Sequence, residues 1–213
     1  MCDIADRLRE RVGIRPDRLV EGCADWATIV DIAPVVLGHL LVLPFEHVVR
    51  ASQLGLDLFA KYWEFVGRSA STLTRLMDAP VVAIEHGSPS DRASMSCVRH
   101  CHTHLAPVDT RLLDLGELLA SVDQYVEIEA VHSSSRAAQE SLSTMAEYVL
   151  VRLGDRAVVG RPRPAIRQIS RVLLASLNHG TEIRDVDWIL ETENPNYFHT
   201  RALFESSWSA DVG

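Results

Sequence analysis

The chain has 213 residues, of which 47% are hydrophobic and 23% are charged, and its formal net charge is −8. This length can bury a substantial core, and the composition is ordinary for a soluble globular protein. The acidic balance argues against broad electrostatic binding of nucleic acid, which needs a basic surface. It permits an anionic small ligand that is bound by a few local donors.

The sequence predicts a cytoplasmic protein without a membrane partner. The start, MCDIADRLRERVG, is charged throughout and has no apolar stretch of the signal-peptide type. The most apolar segment, APVVLGHLLVLPF, is too short to span a bilayer. The four cysteines show no paired CxxC spacing, and cytoplasmic thiols are reduced by default.

The first third of the chain is expected to form a helix, two strands and a second helix. Residues 1–25 have apolar residues at helical spacing and are predicted to be a helical lead-in. The short apolar runs TIVDI and HLLVLP indicate two strands around a turn. Residues 53–77 have the apolar periodicity of one amphipathic helix, and any break in it is expected near Gly67.

Strands are expected in the middle of the chain. PVVAIEHG is predicted to be a strand, GSPSDRASMS a polar loop, and CVRHCHTHLAP a second long strand that ends at Pro107. Two helices around a strand, and then a hairpin, are predicted next. Their segments are DLGELLASV, YVEIEAV, RAAQESLSTM, EYVLVRL and RAVVG.

The last fifty residues are predicted to be mainly helical. AIRQISRVLLASLNHG is typical of a helix with Gly180 at its end, and DVDWIL and TRALFESSW follow it. No internal repeat or linker is visible in the sequence, and the predicted fold class is α+β. The predicted divisions are a helical lead-in at 1–25, a core at 26–110 and an α/β extension packed on that core at 111–213.

The segment HCHTHLAPV has histidines at three alternate positions. Alternate side chains of a strand point to one face, so His100, His102 and His104 are expected to share a face. Neighbouring Cα atoms in this series would be roughly 6.6 Å apart. The cysteines of the segment are expected on the opposite face, in packing contacts.

The residues alone leave three interpretations of the triplet open. The histidines can form the wet face of a half-exposed strand. They can bind zinc, although such a site usually includes a carboxylate or a further histidine, which the segment lacks. One imidazole can also attack phosphorus while its neighbours orient it, because histidine is largely neutral at cell pH.

HCHTHLAPV resembles the motif H-φ-H-φ-H-φ-φ of the histidine triad (HIT) superfamily of nucleotide hydrolases and transferases. ATIVDIAPVVLGHLLVLPFEHV resembles the N-terminal signature of that family, in which a D-I-x-P turn precedes G-H-x-L-V-x-P. Both signatures occur in order, and the resemblance covers roughly residues 25–110. It implies a HIT-like fold with an antiparallel sheet, packed helices and a helical C-terminal extension.

The resemblance gives catalytic roles to four histidines. It implies that His102 is the nucleophile that takes a nucleoside monophosphoryl group. His104 would help to bind or protonate the phosphate region. His100 would orient the nucleophile through hydrogen bonding, and His39 would complete that network from the neighbouring strand.

The resemblance also implies contacts to a nucleotide. Asp31 and Ile32 match the ribose and base contacts of the family, and a carboxylate can accept hydrogen bonds from the ribose hydroxyls. Hydroxyls and backbone N–H groups of the loop before the triad can hold phosphate oxygens. The candidate substrate-binding residues are Asp31, Ile32, Ser88, Ser90, Ser96 and His86.

We expect no cofactor and no metal. In some relatives a histidine at the position of His47 joins an N-terminal CxxC in binding zinc. Here Ala5 stands where the second cysteine after Cys2 would be, so activity is expected to survive chelation.

The predicted function is that of a nucleotide hydrolase or nucleotidyltransferase, acting at the α-phosphorus of a nucleotide conjugate through a nucleotidyl-His102 intermediate. The conjugate would be a dinucleoside polyphosphate, a phosphoramidate or a nucleotide-linked metabolite. One alternative is a nucleotide-binding regulatory module, suggested by RASMSCV in place of the usual glycines. The other is a metal-dependent hydrolase with histidine ligands.

A homodimer is expected, because small histidine-triad proteins pair through a helix and a sheet edge. Helix 53–77 is long and amphipathic and could supply the apolar contact.

Overall fold

The computed structural model describes residues 4–88, 100–164, 166, 168–179 and 194–210. The strands within these residues are β1 (Leu19–Gly22), β2 (Trp26–Val30), β3 (Leu40–Pro44), β4 (Val81–Gly87), β5 (Thr103–Pro107), β6 (Val126–His132), β7 (Tyr148–Leu153) and β8 (Arg156–Pro162). The helices are α1 (Ile4–Arg7), α2 (Leu56–Met77), α3 (Leu115–Asp123), α4 (Ser135–Ser143), α5 (Ile169–His179) and α6 (Pro195–Ala210). The fold class is α+β, as predicted.

The strands form one antiparallel sheet in the order β1-β2-β3-β5-β4-β7-β8-β6. Helices cover both faces of this sheet. On one face α2 and α4 pack against strand residues such as Val42 and Leu150. On the other face α3 and α5 pack against residues such as Ile84 and Val151. Each central strand is therefore buried on both sides.

Helix α2 is continuous, and the break expected near Gly67 does not occur. Its buried residues recur every three or four positions, which turns one apolar face towards the sheet. Gly67 is on the exposed side, where a glycine costs only about 1 kcal/mol relative to alanine. Asp78 ends the helix in a left-handed conformation with φ 49°, and Pro80 follows it before β4.

The predicted helical lead-in is only partly correct. Helix α1 continues into a π-helical turn at Leu8–Val12, and a 3-10 turn follows at Pro16–Arg18. The helical prediction is wrong for β1, which lies within residues 1–25 and pairs with β2 at the edge of the sheet. Only four residues form β1, too few to show the alternation that identifies a strand in a sequence.

The strand that carries the triad is shorter than predicted. β5 begins at Thr103, so His100 and His102 precede it rather than lie on it. Cys101 donates its backbone N–H to the carbonyl of Val48 at 2.7 Å, a contact outside the sheet ladders. Cys101 is buried on the α2 face, as expected. Cys97, Gly180 and the segment DVDWIL lie outside the described residues.

The sheet contains an internal repeat that the sequence did not show. The run β3-α2-β4-β5 and the run β6-α4-β7-β8 have the same order of elements, and their helices lie on the same face. Within the sheet, the strands of the first run follow the order β3-β5-β4 towards the β4–β7 ladder. Those of the second run approach the same ladder from the other side in the order β6-β8-β7. The two runs meet at the β4–β7 ladder, which relates them by an approximate two-fold axis.

The repeat has no counterpart of the triad in its second copy. Ile84 and Val151 are direct partners across the β4–β7 ladder. Ile84 also pairs with His104, whereas Val151 pairs with Val158. Valine therefore occupies the place of the third triad histidine, and the second copy cannot perform the same chemistry.

The features on which the homodimer was predicted are used within the chain. The apolar face of α2 packs on its own sheet, with Tyr62, Trp63 and Leu73 buried. The free edge of the first run is also covered, because β7 pairs with β4. The homodimer stays a prediction, and the mass of the protein in solution tests it. Among the described residues, no helix has both the length and the apolar character to cross a membrane.

A buried carboxyl group lies on the α2 face of β4. Oε1 of Glu85 accepts hydrogen bonds from the backbone N–H of Ala51 at 2.7 Å and from the hydroxyl of Tyr148 at 2.8 Å. Oε2 is buried without a hydrogen-bond partner. Burial raises the pKa of Glu85 from 4.5 to about 7.

We expect Glu85→Gln to change the pH dependence of stability. Between pH 4.5 and about 7 the folded protein holds a proton on Glu85 that the unfolded chain has lost, so stability falls as pH rises through this window. Glutamine resembles the protonated acid and removes this loss. The free energy of unfolding of the variant, relative to wild type, should rise by about 2–3 kcal/mol from pH 5 to pH 8.

Urea unfolding of both proteins at several pH values measures this difference. Glu64→Gln, which changes an exposed carboxylate on α2, is the matched control and should leave the slope unchanged. A parallel pH dependence in wild type and Glu85→Gln would show that the buried group remains ionised.

Candidate active site

The candidate site lies on the face of the sheet that α5 covers. His104 is the second residue of β5 and pairs with Leu41 of β3 and Ile84 of β4. His39 immediately precedes β3. Gly38 takes a φ of 82°, which glycine tolerates, and this turn leads the chain into His39.

The imidazole of His102 is oriented by a backbone carbonyl. Its Nδ1 lies 2.8 Å from the carbonyl oxygen of His100, and only an N–H can bond there. In the neutral imidazole the other nitrogen, Nε2, therefore carries a lone pair. His102 is partly exposed, whereas His39, His100 and His104 are buried. This is the arrangement that a nitrogen nucleophile needs.

A chain of hydrogen bonds also determines the tautomers of His39 and His104. The backbone N–H of Val35 donates to Nδ1 of His39 at 3.1 Å, so the proton of a neutral His39 is on Nε2. That N–H donates to Nδ1 of His104 at 2.9 Å. The proton of His104 is then on its own Nε2. The ring centroids of His102 and His104 are 5.0 Å apart, so the two imidazoles are neighbours in the site.

The side chain of His100 points away from His102. Its Nε2 donates to the carbonyl of Pro44 at 2.6 Å, and its Nδ1 is 3.2 Å from Nδ1 of His47. His100 does hydrogen-bond to His102, but through its backbone carbonyl and not through its imidazole, and its orienting role stays a prediction. His39 is likewise bonded to His104 and not to His100.

Burial keeps these imidazoles neutral. It lowers the pKa of His39 from 6.5 to about 4, lowers that of His102, and places that of His104 well below its usual value. The neighbouring histidines and the guanidinium of Arg171 act in the same direction on His104. At neutral pH the site therefore offers one lone pair, on His102, beside one N–H donor, on His104.

Residues 15–111 match the family model of the HIT domain. The chain contains a HIT domain. The uncharacterized HIT-like protein MT1300 of Mycobacterium tuberculosis is 34% identical over 84 residues, which make up 38% of this chain and 56% of that protein. The chain thus spans little more than half the length of this curated relative.

Solved structures show similarity at lower identity. SMU.412c from Streptococcus mutans is 23% identical with a TM-score of 0.40, and the match covers 58% of this chain and 85% of that one. The yeast Ap4A phosphorylase Apa2, in complex with AMP, is 14% identical with a TM-score of 0.46, and covers 68% and 59%.

Two of the predicted nucleotide contacts lie at the end of β2 in the HIT domain. Asp31 is only 2% exposed, and its Oδ1 accepts hydrogen bonds from the backbone N–H of Ala33 at 2.7 Å and from the guanidinium of Arg171. A ribose could reach this carboxylate only if it displaced one of these donors. Ile32 is half-buried beside it. Both contacts stay predictions.

The other predicted contacts belong to β4 and the loop that follows. His86 lies on the same face of β4 as Ile84, and its Nε2 is 3.1 Å from a carboxylate oxygen of Glu147. Ser88 is buried. Ser90 and Ser96 lie outside the described residues, so their predicted contacts to phosphate stay predictions.

The histidines give little support to metal binding. Asp31, His39 and His104 bring potential ligand atoms within 4.8 Å of one another. However, Nε2 of His39 and Nδ1 of His104 are bonded to each other, and a cation there would have to break this bond. It would also lie close to the Arg171 guanidinium. His47 and Cys2 were the other residues considered as zinc ligands. His47 contacts His100, and Cys2 lies outside the described residues.

Sequence reasoning missed two charged residues near the triad. Arg171 comes from α5 and Glu147 from the residue before β7, both beyond the HIT domain. The available signal for Arg171 was a single arginine within the otherwise uncharged run ISRVLLASL. No pattern in the sequence indicated Glu147.

Proposed function

We propose that this protein is a nucleotide hydrolase or nucleotidyltransferase that uses His102 as its nucleophile. The observation that carries the proposal is the hydrogen bond from His102 Nδ1–H to the His100 carbonyl. It leaves the lone pair on Nε2 of His102, which is partly exposed and lies beside the ring of His104. The HIT domain supports a nucleotide as the substrate class.

The proposed reaction has two steps at the α-phosphorus of a nucleotide conjugate. In the first, the Nε2 lone pair of His102 forms a bond to phosphorus, and the bond to the leaving group breaks with its electron pair. In the second, water or another acceptor attacks phosphorus, the P–N bond breaks, and its electron pair returns to Nε2. The acceptor releases its proton to solvent.

His104 would stabilise this reaction without giving up its only proton. Its Nε2–H can donate to an oxygen of the phosphoryl group, where charge develops in both steps. His39 holds this donor in position through Nδ1 of His104. We further propose that Asp31, Ile32, His86, Ser88, Ser90 and Ser96 contact the nucleotide. The conjugate would be a dinucleoside polyphosphate, a phosphoramidate or a nucleotide-linked metabolite.

A search for the covalent intermediate tests this function. The protein is mixed with nucleotide conjugates, quenched rapidly without acid and digested. We expect a nucleoside monophosphate adduct on His102, at one per chain because Val158 replaces the equivalent of His104 in the second copy. Full labelling in the presence of a chelator would also contradict a metal-dependent reaction.

Other outcomes would contradict the proposal. Nucleotide binding without single-turnover product would indicate a regulatory module. Loss of the adduct together with stoichiometric metal would indicate a metal-dependent hydrolase. If the adduct forms, product analysis with and without phosphate as acceptor distinguishes a hydrolase from a transferase.

A further inference from the structure

Helix α5 supplies a buried cation to the candidate site from outside the HIT domain. The guanidinium of Arg171 donates to Oδ1 of Asp31 and to the carbonyl of Ala33, and Arg171 is 5% exposed. These contacts join the end of β2 to a residue about 140 positions later in the chain. Charge-assisted hydrogen bonds of this kind determine geometry as well as charge.

Asp31 also lies beside the chain of imidazoles. Its Oδ2 is 3.9 Å from Nε2 of His39, the nitrogen that donates to His104. A buried carboxylate requires a compensating positive charge, and either a protonated His39 or Arg171 could supply it. The geometry selects Arg171. Nδ1 of His39 accepts the N–H of Val35, so that nitrogen holds no proton and the ring is neutral.

We propose that Arg171 is a positioning residue that compensates the charge of Asp31 and thereby keeps His39 neutral and bonded to His104. Without Arg171, the carboxylate would draw a proton onto His39. The protonated ring would then present an N–H to the N–H of Val35 and lose its position. The catalytic meaning of this inference rests on the proposed function, and it makes the site incomplete within residues 15–111.

The charges around His39 agree with this role. Burial lowers its pKa to about 4, Asp31 opposes this effect, and Arg171 and His102 reinforce it. Burial raises the pKa of Asp31, but His39, Arg171, the backbone N–H of Ala33 and Arg18 together hold it below its usual value. His104 contacts His39 from β5. Within the part of the chain that the structure describes, these ionisable groups face the pair from the surrounding elements.

Histidine titration by NMR tests the proposal without any substrate. The full chain is labelled with ¹⁵N-histidine, and the signals of His39 are assigned by their absence in His39→Gln. In wild type and in Arg171→Lys, which keeps the positive charge, His39 should stay neutral down to about pH 4. In Arg171→Gln its pKa should rise by about two units or more.

The double variant Asp31→Asn/Arg171→Gln removes both charges and provides a test even if Arg171→Gln does not fold. Its His39 should again titrate at low pH, as it does in wild type. A purely structural role for Arg171 predicts no such recovery. The activity of Arg171→Gln, where it folds, should shift in pH profile towards higher pH.

Three results would overturn the inference. They are an unchanged His39 pKa in Arg171→Gln, a rise of the same size in Arg171→Lys, and a raised His39 pKa in the double variant. The proposed function fails separately. If wild type shows the expected titrations but forms no adduct on His102, then the positioning of His39 stands and the nucleotidyl chemistry does not.

Discussion

His102→Ala is expected to lower kcat for a nucleotide conjugate by about 10⁴- to 10⁶-fold, the range seen when members of a nucleophilic triad are removed. The substitution deletes the nitrogen that would bond to phosphorus. It leaves the His39–His104 pair intact, because His102 makes its own hydrogen bond to a backbone carbonyl. The affinity for a product nucleotide should therefore change little. Single-turnover kinetics and equilibrium binding measure the two quantities separately.

His132→Ala is the matched control for this variant. His132 lies at the end of β6, where its Nε2 is bonded to the hydroxyl of Ser141. The control should keep wild-type kcat. Turnover of His102→Ala near the wild-type rate, or an adduct that maps to another residue, would contradict the histidine-triad mechanism in this protein.

His104→Ala is expected to have the second-largest effect, a loss of about 10²- to 10³-fold in kcat. The variant removes an N–H that is held ready for a phosphoryl oxygen, and losses of this size follow the removal of a single transition-state donor. Because charge develops on the same oxygens in both steps, formation and breakdown of the adduct should slow together. Rapid-quench measurement of each step checks this.

His39→Gln provides a graded comparison. It removes the imidazole that supports His104 but leaves a side-chain N–H that can donate to Nδ1 of His104. Its loss of kcat should be smaller than that of His104→Ala. If His104→Ala changes only KM, or slows only one of the two steps, His104 does not stabilise the transferred phosphoryl group.

The sequence predicted most of the strands and helices, because their signals are local. The alternation in YVEIEAV and the three-to-four spacing in residues 53–77 depend on which face each side chain takes along its own element. These signals located β6 and α2. They did not locate β1, which is too short to alternate, or the start of β5, where Cys101 leaves the ladder to bond to Val48.

The candidate site was also predictable from the sequence only in part. The spacing of the triad and the G-H motif identified the histidines, and the structure brings His39 and His104 into contact. It also shows how His102 is held, since the backbone carbonyl of His100 accepts the hydrogen bond from Nδ1. Spacing cannot distinguish a side-chain contact from a backbone contact, because both depend on the conformation of the residues that precede β5.

By itself the sequence determined the presence of a HIT domain, the fold class and the histidines that carry the proposed chemistry. Only the tertiary structure decided that β7 covers the free edge of β4, that a second copy of the repeat lacks the triad, and that Arg171 reaches Asp31. Local periodicity specifies which face of an element is apolar. It does not specify the partner of a strand edge or of a buried charge, because these partners are separated by tens of residues and meet only when the whole sheet and its helices pack together.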